Sequence, residues 1–570
     1  MSGLASAHLK VLKDRIREGG FAIALSGGGH RATLATLGAL IAIVDRGLAP
    51  KVIQVASVSG GSITNAFIAQ RCRLERLGPG QLDGIATELA TTIIRQGVLT
   101  RGWIALLLLA PVVPGVAAGI LLHGLVVPWT WLAVIVGVGV ALALLIARGL
   151  AAEWLLDRRY FRPRALSEHR GYRGRARLAS LSGGDIDHVI CMTDLALGLP
   201  LYASSQNGGM MWRRLKPERS VTRGMQFQTF DAGRLSIAEL VRASAAFPGI
   251  PPRRLRIPPD PRVKLVSELP RVAFLADGGL WNNLGSQVLR EDRFIGTLAG
   301  WDSGVLRPYT DAPQDMPLLC INGSAPLRPT DPWSFSIPGI ALLKSLLQIT
   351  NILNANTVLP RVVAMQSAFE RRVGRGTRPD FLDPVDLVID LMEVEDLANR
   401  LREGTWKEEL IRASDPSVKK WEEDASSRVR IARGYAEKGP DSKWLSYVLG
   451  EQPEPQGSYP IVGLANIDDW DALRCSPIWK HLVEKEGGGR VDAATTLDRI
   501  DVKLARRLIA RGYLNTYLVS LFLAPLADGE LDRLAQLENR LDQIVDIAKR
   551  DETDAIIGGS VAAPPQAGPS

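Results

Sequence analysis

With 570 residues, the chain is longer than a single domain of ordinary size, which indicates two or three structural units. Its net charge of +8 is compatible with an anionic partner, but zinc-finger spacing, RNA-binding aromatic signatures and long Lys/Arg runs are all missing, so nucleic acid is not expected to be that partner. The four cysteines are far apart and form no CxxC pair, which argues against a disulfide scaffold and indicates a reducing compartment. We expect neither a metal nor a cofactor.

The N-terminal part of the chain predicts a parallel α/β sheet. Residues 1–20 have mixed charges and no apolar core, which is typical of an amphipathic helix and not of a secretory signal. Two strand–turn–helix units follow: strand 21–25 with helix 32–46, and strand 52–56 with helix 63–77. This alternation favours parallel strands that are connected by helices.

Two uncharged runs, 103–122 and 129–147, interrupt this alternation. Each is long enough to cross a bilayer as a helix of ~20 residues. Arginines flank the outer ends and are missing from the connection, so by the positive-inside rule both outer ends are cytoplasmic. The sequence therefore predicts a transmembrane hairpin in an integral protein of the bacterial inner membrane, with a cytoplasmic catalytic domain. The alternative is a pair of buried core helices.

After this insertion the α/β pattern resumes, so the hairpin interrupts one catalytic domain. Strands are predicted at 188–193, 272–276 and 317–322, and a helix at 237–246. Beyond residue 400 the chain is charged and helical, and this C-terminal region is a candidate site for a protein partner. The predicted segments are 1–100 (first part of the catalytic domain), 101–150 (hairpin), 151–400 (second part), 401–556 (helical region) and 557–570 (disordered tail).

Ser59 is the candidate nucleophile. It follows a buried strand, opens a helix and is flanked by small residues. This is the pattern of a nucleophile elbow, in which a tight turn exposes the serine hydroxyl and small neighbours relieve crowding between strand and helix.

Glycines supply the candidate oxyanion hole. Gly28 and Gly29 occupy an earlier strand-to-helix turn, and Gly60 follows the nucleophile at a helix N-terminus. Their amides can point at one oxygen atom that becomes negative during acyl transfer. Arg31 either supports this loop through backbone carbonyls or attracts an anionic headgroup. A Walker loop is not indicated, because the Lys–Ser/Thr pair is missing.

Asp277 is the candidate base. It ends a later strand and begins an Asp-Gly-Gly sequence. Sheet enzymes place reacting groups at the carboxyl ends of their strands, where this carboxylate could take the proton of Ser59.

The order of these three motifs resembles that of the patatin-like phospholipase family over residues 20 to 330. Further matches are Thr193–Leu195, Arg242–Pro248 and the pair Asn282 and Asn283. The resemblance implies a three-layer α/β sandwich with a mainly parallel central sheet, here with the inserted hairpin and a mostly helical C-terminal region. It also implies a Ser–Asp dyad without histidine. The sequence departs from the family pattern at three small residues, namely Ser26, Ala32 and Ser57.

We therefore expect a lipid acyl hydrolase of the phospholipase A type that acts at a membrane surface on a phospholipid or lysophospholipid. Ser59 attacks the ester, Asp277 accepts its proton, and water releases the fatty acid from the acyl-enzyme. Three alternatives remain: an α/β-hydrolase with a Ser59–Asp277–His481 triad, a non-catalytic membrane scaffold with a vestigial elbow, and acyl transfer to an acceptor other than water.

Overall fold

The computed structural model describes a set of segments that together contain the predicted catalytic motifs. The described residues are 20–98, 139, 149–161, 175–181, 184–205, 209–214, 227–246, 252–256, 272–286, 288, 318–323, 386–390, 394, 467–488, 497–521 and 524–546.

Within these described segments, ten strands form one central sheet, in the order β10-β9-β1-β2-β3-β4-β5-β6, with β8 paired to β3 and β7 paired to β8. The strands are β1 Phe21–Leu25, β2 Val52–Ser57, β3 Asp187–Asp194, β4 Leu199–Ser204, β5 Met210–Arg214, β6 Phe227–Asp231, β7 Arg253–Arg256, β8 Val272–Asp277, β9 Leu318–Asn322 and β10 Asp386–Asp390. The predicted α/β class with a central sheet is confirmed.

The expectation of a mainly parallel sheet requires correction. Strands β10, β9, β1, β2 and β3 are parallel, whereas β3 to β6 run antiparallel, as do β7 and β8. The reason is visible at β3 and β4, which only residues 195–198 connect. A parallel pair needs a crossover of about a dozen residues, so a connection this short permits only an antiparallel pair.

One edge of β3 is shared by two strands whose carboxyl ends meet there. Ser57 at the end of β2 pairs with Ile190, and Asp277 at the end of β8 pairs with Met192. Because β4 occupies the opposite edge of β3, β2 and β8 must lie on the same side. At ~3.4 Å per residue the two strand ends are within ~7 Å of each other, on either side of Cys191.

Helices cover this sheet. They are α1 Gly29–Asp45, α2 Gly60–Arg71, α3 Asp83–Arg95, α4 Ile237–Ser244, α5 Gly279–Asn282, α6 Ile467–Cys475, α7 Pro477–Leu482, α8 Val502–Ser520, α9 Glu530–Ala535 and α10 Leu537–Val545. Residues 149–156 are also helical, followed by a π-helical turn at Asp157–Phe161. Further short helical turns occur at Ala49–Lys51, Leu74–Arg76, Leu178–Leu181 and Val483–Gly487.

Helix α1 is buried along its whole length, because the C-terminal helix α8 packs against it and completes the core. The two helices approach through glycines. A β-carbon at Gly38 would lie 2.0 Å from the carbonyl oxygen of Ile509, and one at Gly512 would lie 1.9 Å from that of Ala35. The described part of the predicted C-terminal region thus shares one hydrophobic core with β1 and α1.

Buried ionic groups add to this attachment. Arg46, which follows α1, forms an ion pair with Glu530 and donates to the hydroxyl of Ser520 at 2.9 Å. Arg540 in α10 contacts both Asp45 and Asp83 at 2.7 Å. Helix α10 and the segment around Glu530 are therefore held to α1 and α3 by charge as well as by apolar packing.

The predicted integral membrane localisation is wrong for the described residues, whose helices include none long and apolar enough to cross a membrane. Helix α1 has only 17 residues, fewer than the ~20 that a bilayer requires, and α8 carries lysine and arginine along its length. The two uncharged runs behind the prediction, 103–122 and 129–147, lie outside the described residues except for Gly139.

Candidate active site

Ser59 occupies a strained turn between β2 and α2. Its φ of 49° makes it the sole residue other than glycine with positive φ among the residues described. Such a conformation costs about 1–3 kcal/mol and persists where the surrounding structure imposes it. A strained turn between a strand and a helix is also what the elbow pattern predicts at this position.

The glycines after Ser59 allow two strand-to-helix turns to pack backbone against backbone. A β-carbon at Gly60 would lie 2.0 Å from the carbonyl oxygen of Gly29, and one at Gly61 would lie 2.5 Å from that of Leu25. Larger side chains at these positions would separate the two turns. Gly60 is therefore brought directly against Gly29, as the oxyanion hypothesis requires.

Asp277 lies at the end of β8 with only 2% of its surface exposed. Burial raises its pKa to about 7, while hydrogen bonds from the Gly279 N–H, at 2.7 Å, and from the Ser59 hydroxyl favour the charged form. A carboxylate with a pKa near neutrality is a stronger base than an ordinary aspartate and is still partly ionised at neutral pH. The structure thus brings Ser59 and Asp277 into hydrogen-bonding contact.

The amides of the glycine-rich turns are available beside this pair. Within the described part of the chain, the N–H groups of Gly28, Gly29 and Gly60 have no hydrogen-bond acceptor. By contrast, the N–H of Gly61 bonds to the carbonyl of Ser26 at 3.2 Å. Because Gly29 and Gly60 begin α1 and α2, their amides point out of helix N-termini, where a negative charge is favoured.

No family model matches this chain, and no curated protein matches it either. Among solved structures it is similar to VipD from Legionella pneumophila, with a TM-score of 0.24 and 12% identity, over 65% of this chain and 61% of that one. Structural similarity this weak supports no conclusion about fold or function, so the resemblance to the patatin-like family depends on the sequence motifs alone.

Arg31 supports the neighbouring loop. Its Nε donates to the carbonyl of Gly323 at 2.9 Å, and the residue is 4% exposed. The N–H of Gly323 in turn donates to the hydroxyl of Ser26 at 2.6 Å. Arg31 therefore bonds to the turn after β9, which itself bonds to Ser26 at the start of the glycine loop, and its predicted role stays a prediction.

The described histidines have partners elsewhere. His30 bonds to the carbonyl of Asp498 at 2.7 Å and to the Tyr160 hydroxyl at 3.0 Å, and burial lowers its pKa to about 4. His481 contacts Glu538 at 3.2 Å with 61% of its side chain exposed. The triad alternative, which requires His481 beside Asp277, finds no support in these contacts.

Two residues acquire contacts that sequence reasoning did not assign. Asn283 accepts the N–H of Gly27 at 2.9 Å through its carbonyl, and its side-chain oxygen fills the space beside Gly27 and Gly279. Ser244 bonds to the backbone of Ser59. In the sequence, both residues lie in segments that resemble family motifs, namely Arg242–Pro248 and the pair Asn282 and Asn283.

Proposed function

We propose that this protein is a serine ester hydrolase that releases fatty acids from lipids. The observation that carries the proposal is the hydrogen bond between Ser59, in a strained turn, and the buried carboxylate of Asp277, whose pKa burial raises to about 7. In this reaction Asp277 accepts the hydroxyl proton while the Ser59 oxygen attacks the ester carbonyl. The alcohol then leaves, and water hydrolyses the acyl-enzyme.

The glycine amides support the same chemistry. Attack on an ester creates a negative oxygen, and each well-placed N–H donor typically contributes about 3–4 kcal/mol to the stability of the transition state. Gly28, Gly29 and Gly60 are the proposed donors, and their amides have no acceptor among the described residues. The amide of Ser59 is not among them, because it bonds to Ser244.

The lipid substrate is proposed from the motifs. The glycine loop, the elbow and the Asp-Gly-Gly sequence occur in the order of patatin-like phospholipases, whose substrates are membrane lipids. We propose a phospholipid or lysophospholipid presented in a bilayer as the substrate, and the patatin-like three-layer arrangement as the architecture. The basic net charge of +8 is compatible with an anionic lipid surface.

The proposal is tested by fatty-acid release from phosphatidylcholine vesicles and from lysophosphatidylcholine. Wild-type protein is expected to release fatty acid, whereas Ser59→Ala and Asp277→Asn are each expected to lower kcat by at least 1000-fold. Labelling with a fluorophosphonate should modify wild-type protein at Ser59 and leave Ser59→Ala unmodified. A scaffold with a vestigial elbow would give neither release nor labelling. Near wild-type rates in either variant would overturn the assignment.

His481→Ala is the matched control, since the triad alternative depends on this residue. Its ring is exposed and contacts Glu538, so the variant is expected to keep wild-type activity. A loss comparable to that of Asp277→Asn would favour the triad instead.

A further inference from the structure

We propose that Ser244 is a positioning residue for the nucleophile. Its hydroxyl holds the backbone of Ser59 in the conformation that directs the Ser59 side chain toward Asp277. This inference rests on the proposed function and extends it to a residue outside the dyad and the oxyanion loop.

The hydroxyl of Ser244 has three contacts. Ser244 is the last residue of α4 and is fully buried. Its Oγ accepts the N–H of Ser59 at 3.0 Å and donates to the carbonyl of Cys191 at 2.7 Å. Because that donation uses its one proton, the Ser62 hydroxyl, at 2.9 Å, must be the donor in the contact between the two serines.

The backbone around Ser244 reaches the other half of the dyad. The carbonyl of Ser244 accepts the N–H of Gly278 at 3.3 Å, and the carbonyl of Ala246 accepts the N–H of Asp277 at 3.4 Å. One chain segment at the end of α4 therefore contacts both the turn that carries the nucleophile and the turn that carries the base. It does so beside Cys191, where the carboxyl ends of β2 and β8 meet.

The Ser59 amide needs an acceptor for a physical reason. It lies at the start of α2, where an N–H has no partner within the helix. Ser59 is also 5% exposed, so water cannot easily substitute. The hydrogen bond that this amide donates to the Ser244 hydroxyl satisfies it in the conformation in which Ser59 has a φ of 49°. Without that acceptor the strained turn can relax, and the hydroxyl moves away from Asp277.

A purely structural role would affect stability and not catalysis. Ser62→Ala is the matched control, because Ser62 is equally buried and bonds to the same hydroxyl but does not contact the Ser59 amide. Ser244→Ala removes the acceptor. Ser244→Cys keeps a side chain of similar size with a weaker acceptor, and it replaces Ser244→Ala as the deciding variant if the latter fails to fold.

The experiment measures kcat and KM with a soluble ester, the rate of fluorophosphonate labelling, and thermal unfolding of each variant. Ser244→Ala is expected to lower kcat by about 30–100-fold and to slow labelling in parallel, with KM within twofold of wild type, since small misplacements of reacting groups cost up to ~100-fold in rate. Ser244→Cys should fall between Ser244→Ala and wild type, and Ser62→Ala should remain within threefold of wild type.

If wild-type protein is active and Ser59→Ala is not, three results would overturn the positioning role of Ser244 and leave the proposed function intact. They are a kcat for Ser244→Ala no lower than that of Ser62→Ala, a loss confined to KM, and an unchanged labelling rate. Wild-type protein that neither hydrolyses the ester nor labels at Ser59 would instead overturn the proposed function, and the positioning role with it.

Discussion

The hydroxyl of Ser59 donates a hydrogen bond to a carboxylate of Asp277 that is almost closed off from solvent. Burial raises the pKa of Asp277 to about 7, so the two protonation states of the proposed base interchange within the ordinary working range of pH. This relationship leads to predictions about both rate and stability.

The rate of ester hydrolysis should rise with pH. The proposed base acts only as the carboxylate, so kcat/KM is expected to increase about tenfold per pH unit below an apparent pKa near 7 and to level off above it. An initial-rate profile from pH 5 to 9 with a soluble ester measures this. A profile that is flat from pH 5 upward would mean that Asp277 ionises like an ordinary aspartate.

Asp277→Asn should stabilise the fold at high pH while abolishing activity. The pKa of Asp277 is higher in the folded protein than in the unfolded chain, so the folded state loses stability as pH rises from about 4 through 7. The rise in the pKa of Asp277 from 3.8 to about 7 corresponds to roughly 4 kcal/mol of unfolding free energy lost at high pH. The neutral amide of the Asp277→Asn variant avoids part of this loss. Urea unfolding at pH 8 should therefore show a gain of a few kcal/mol for the variant, and at pH 4 almost none. Equal effects at both pH values would contradict this reading.

Gly60→Ala should separate the two glycine-rich turns. The new methyl group would lie 2.0 Å from the carbonyl oxygen of Gly29, a backbone atom that can move only with its turn. We expect about 1–3 kcal/mol of destabilisation and at least 100-fold lower kcat. Gly84→Ala is the control, because nothing lies within 4 Å of the β-carbon position at Gly84. This variant should be up to ~1 kcal/mol more stable than wild type, since alanine favours a helix more than glycine does, and it should keep full activity. Unaltered activity in Gly60→Ala would argue against the oxyanion assignment.

Arg540→Met should weaken the attachment of the C-terminal helices. Arg540 forms ion pairs with Asp45 and Asp83, and its removal leaves the buried Asp45 carboxyl without this cation. About 3 kcal/mol of lost stability is expected from denaturant unfolding. The control is Lys485→Met. This change removes an ion pair with Glu538, which lies in the same helix as Arg540, but the Lys485 side chain is 50% exposed. That change should cost less than ~1 kcal/mol, and similar losses in both variants would show that burial of the Asp45 pair is unimportant.

Much of the fold that surrounds the site could be predicted from local patterns. Strand 21–25 was predicted with the bounds that it has, and the strands before Ser59 and Asp277 were predicted to within one residue at their ends. These strands are short and mostly apolar, and each is followed within three residues by glycine, a signal that depends on the neighbouring residues alone. The proximity of Ser59 and Asp277 is predicted from two signals, namely the position of both at the carboxyl ends of strands in one sheet and the order of the motifs, but its geometric cause cannot be read from the sequence. That cause is the pairing of β2 and β8 with one edge of β3.

Contacts between segments that are distant in the sequence cannot be predicted from local sequence patterns. Gly38 and Gly512 are poor helix formers when judged by propensity, and only the crossing of α1 and α8 explains them. Ser244 could be matched to a motif, but its bond to the Ser59 amide depends on where α4 ends in space. The integral-membrane prediction rested on two uncharged runs and their flanking arginines, and these runs, Gly139 excepted, lie outside the residues that the structure describes.

The glycine crossing between α1 and α8 also has a consequence for biosynthesis. Helix α1 follows directly from the turn of Gly28 and Gly29, yet α8, the helix that packs against it, comes far later in the sequence. During synthesis the residues proposed as nucleophile and base therefore leave the ribosome before the helix that covers α1. The core around the proposed site is completed only when α8 has emerged and docked.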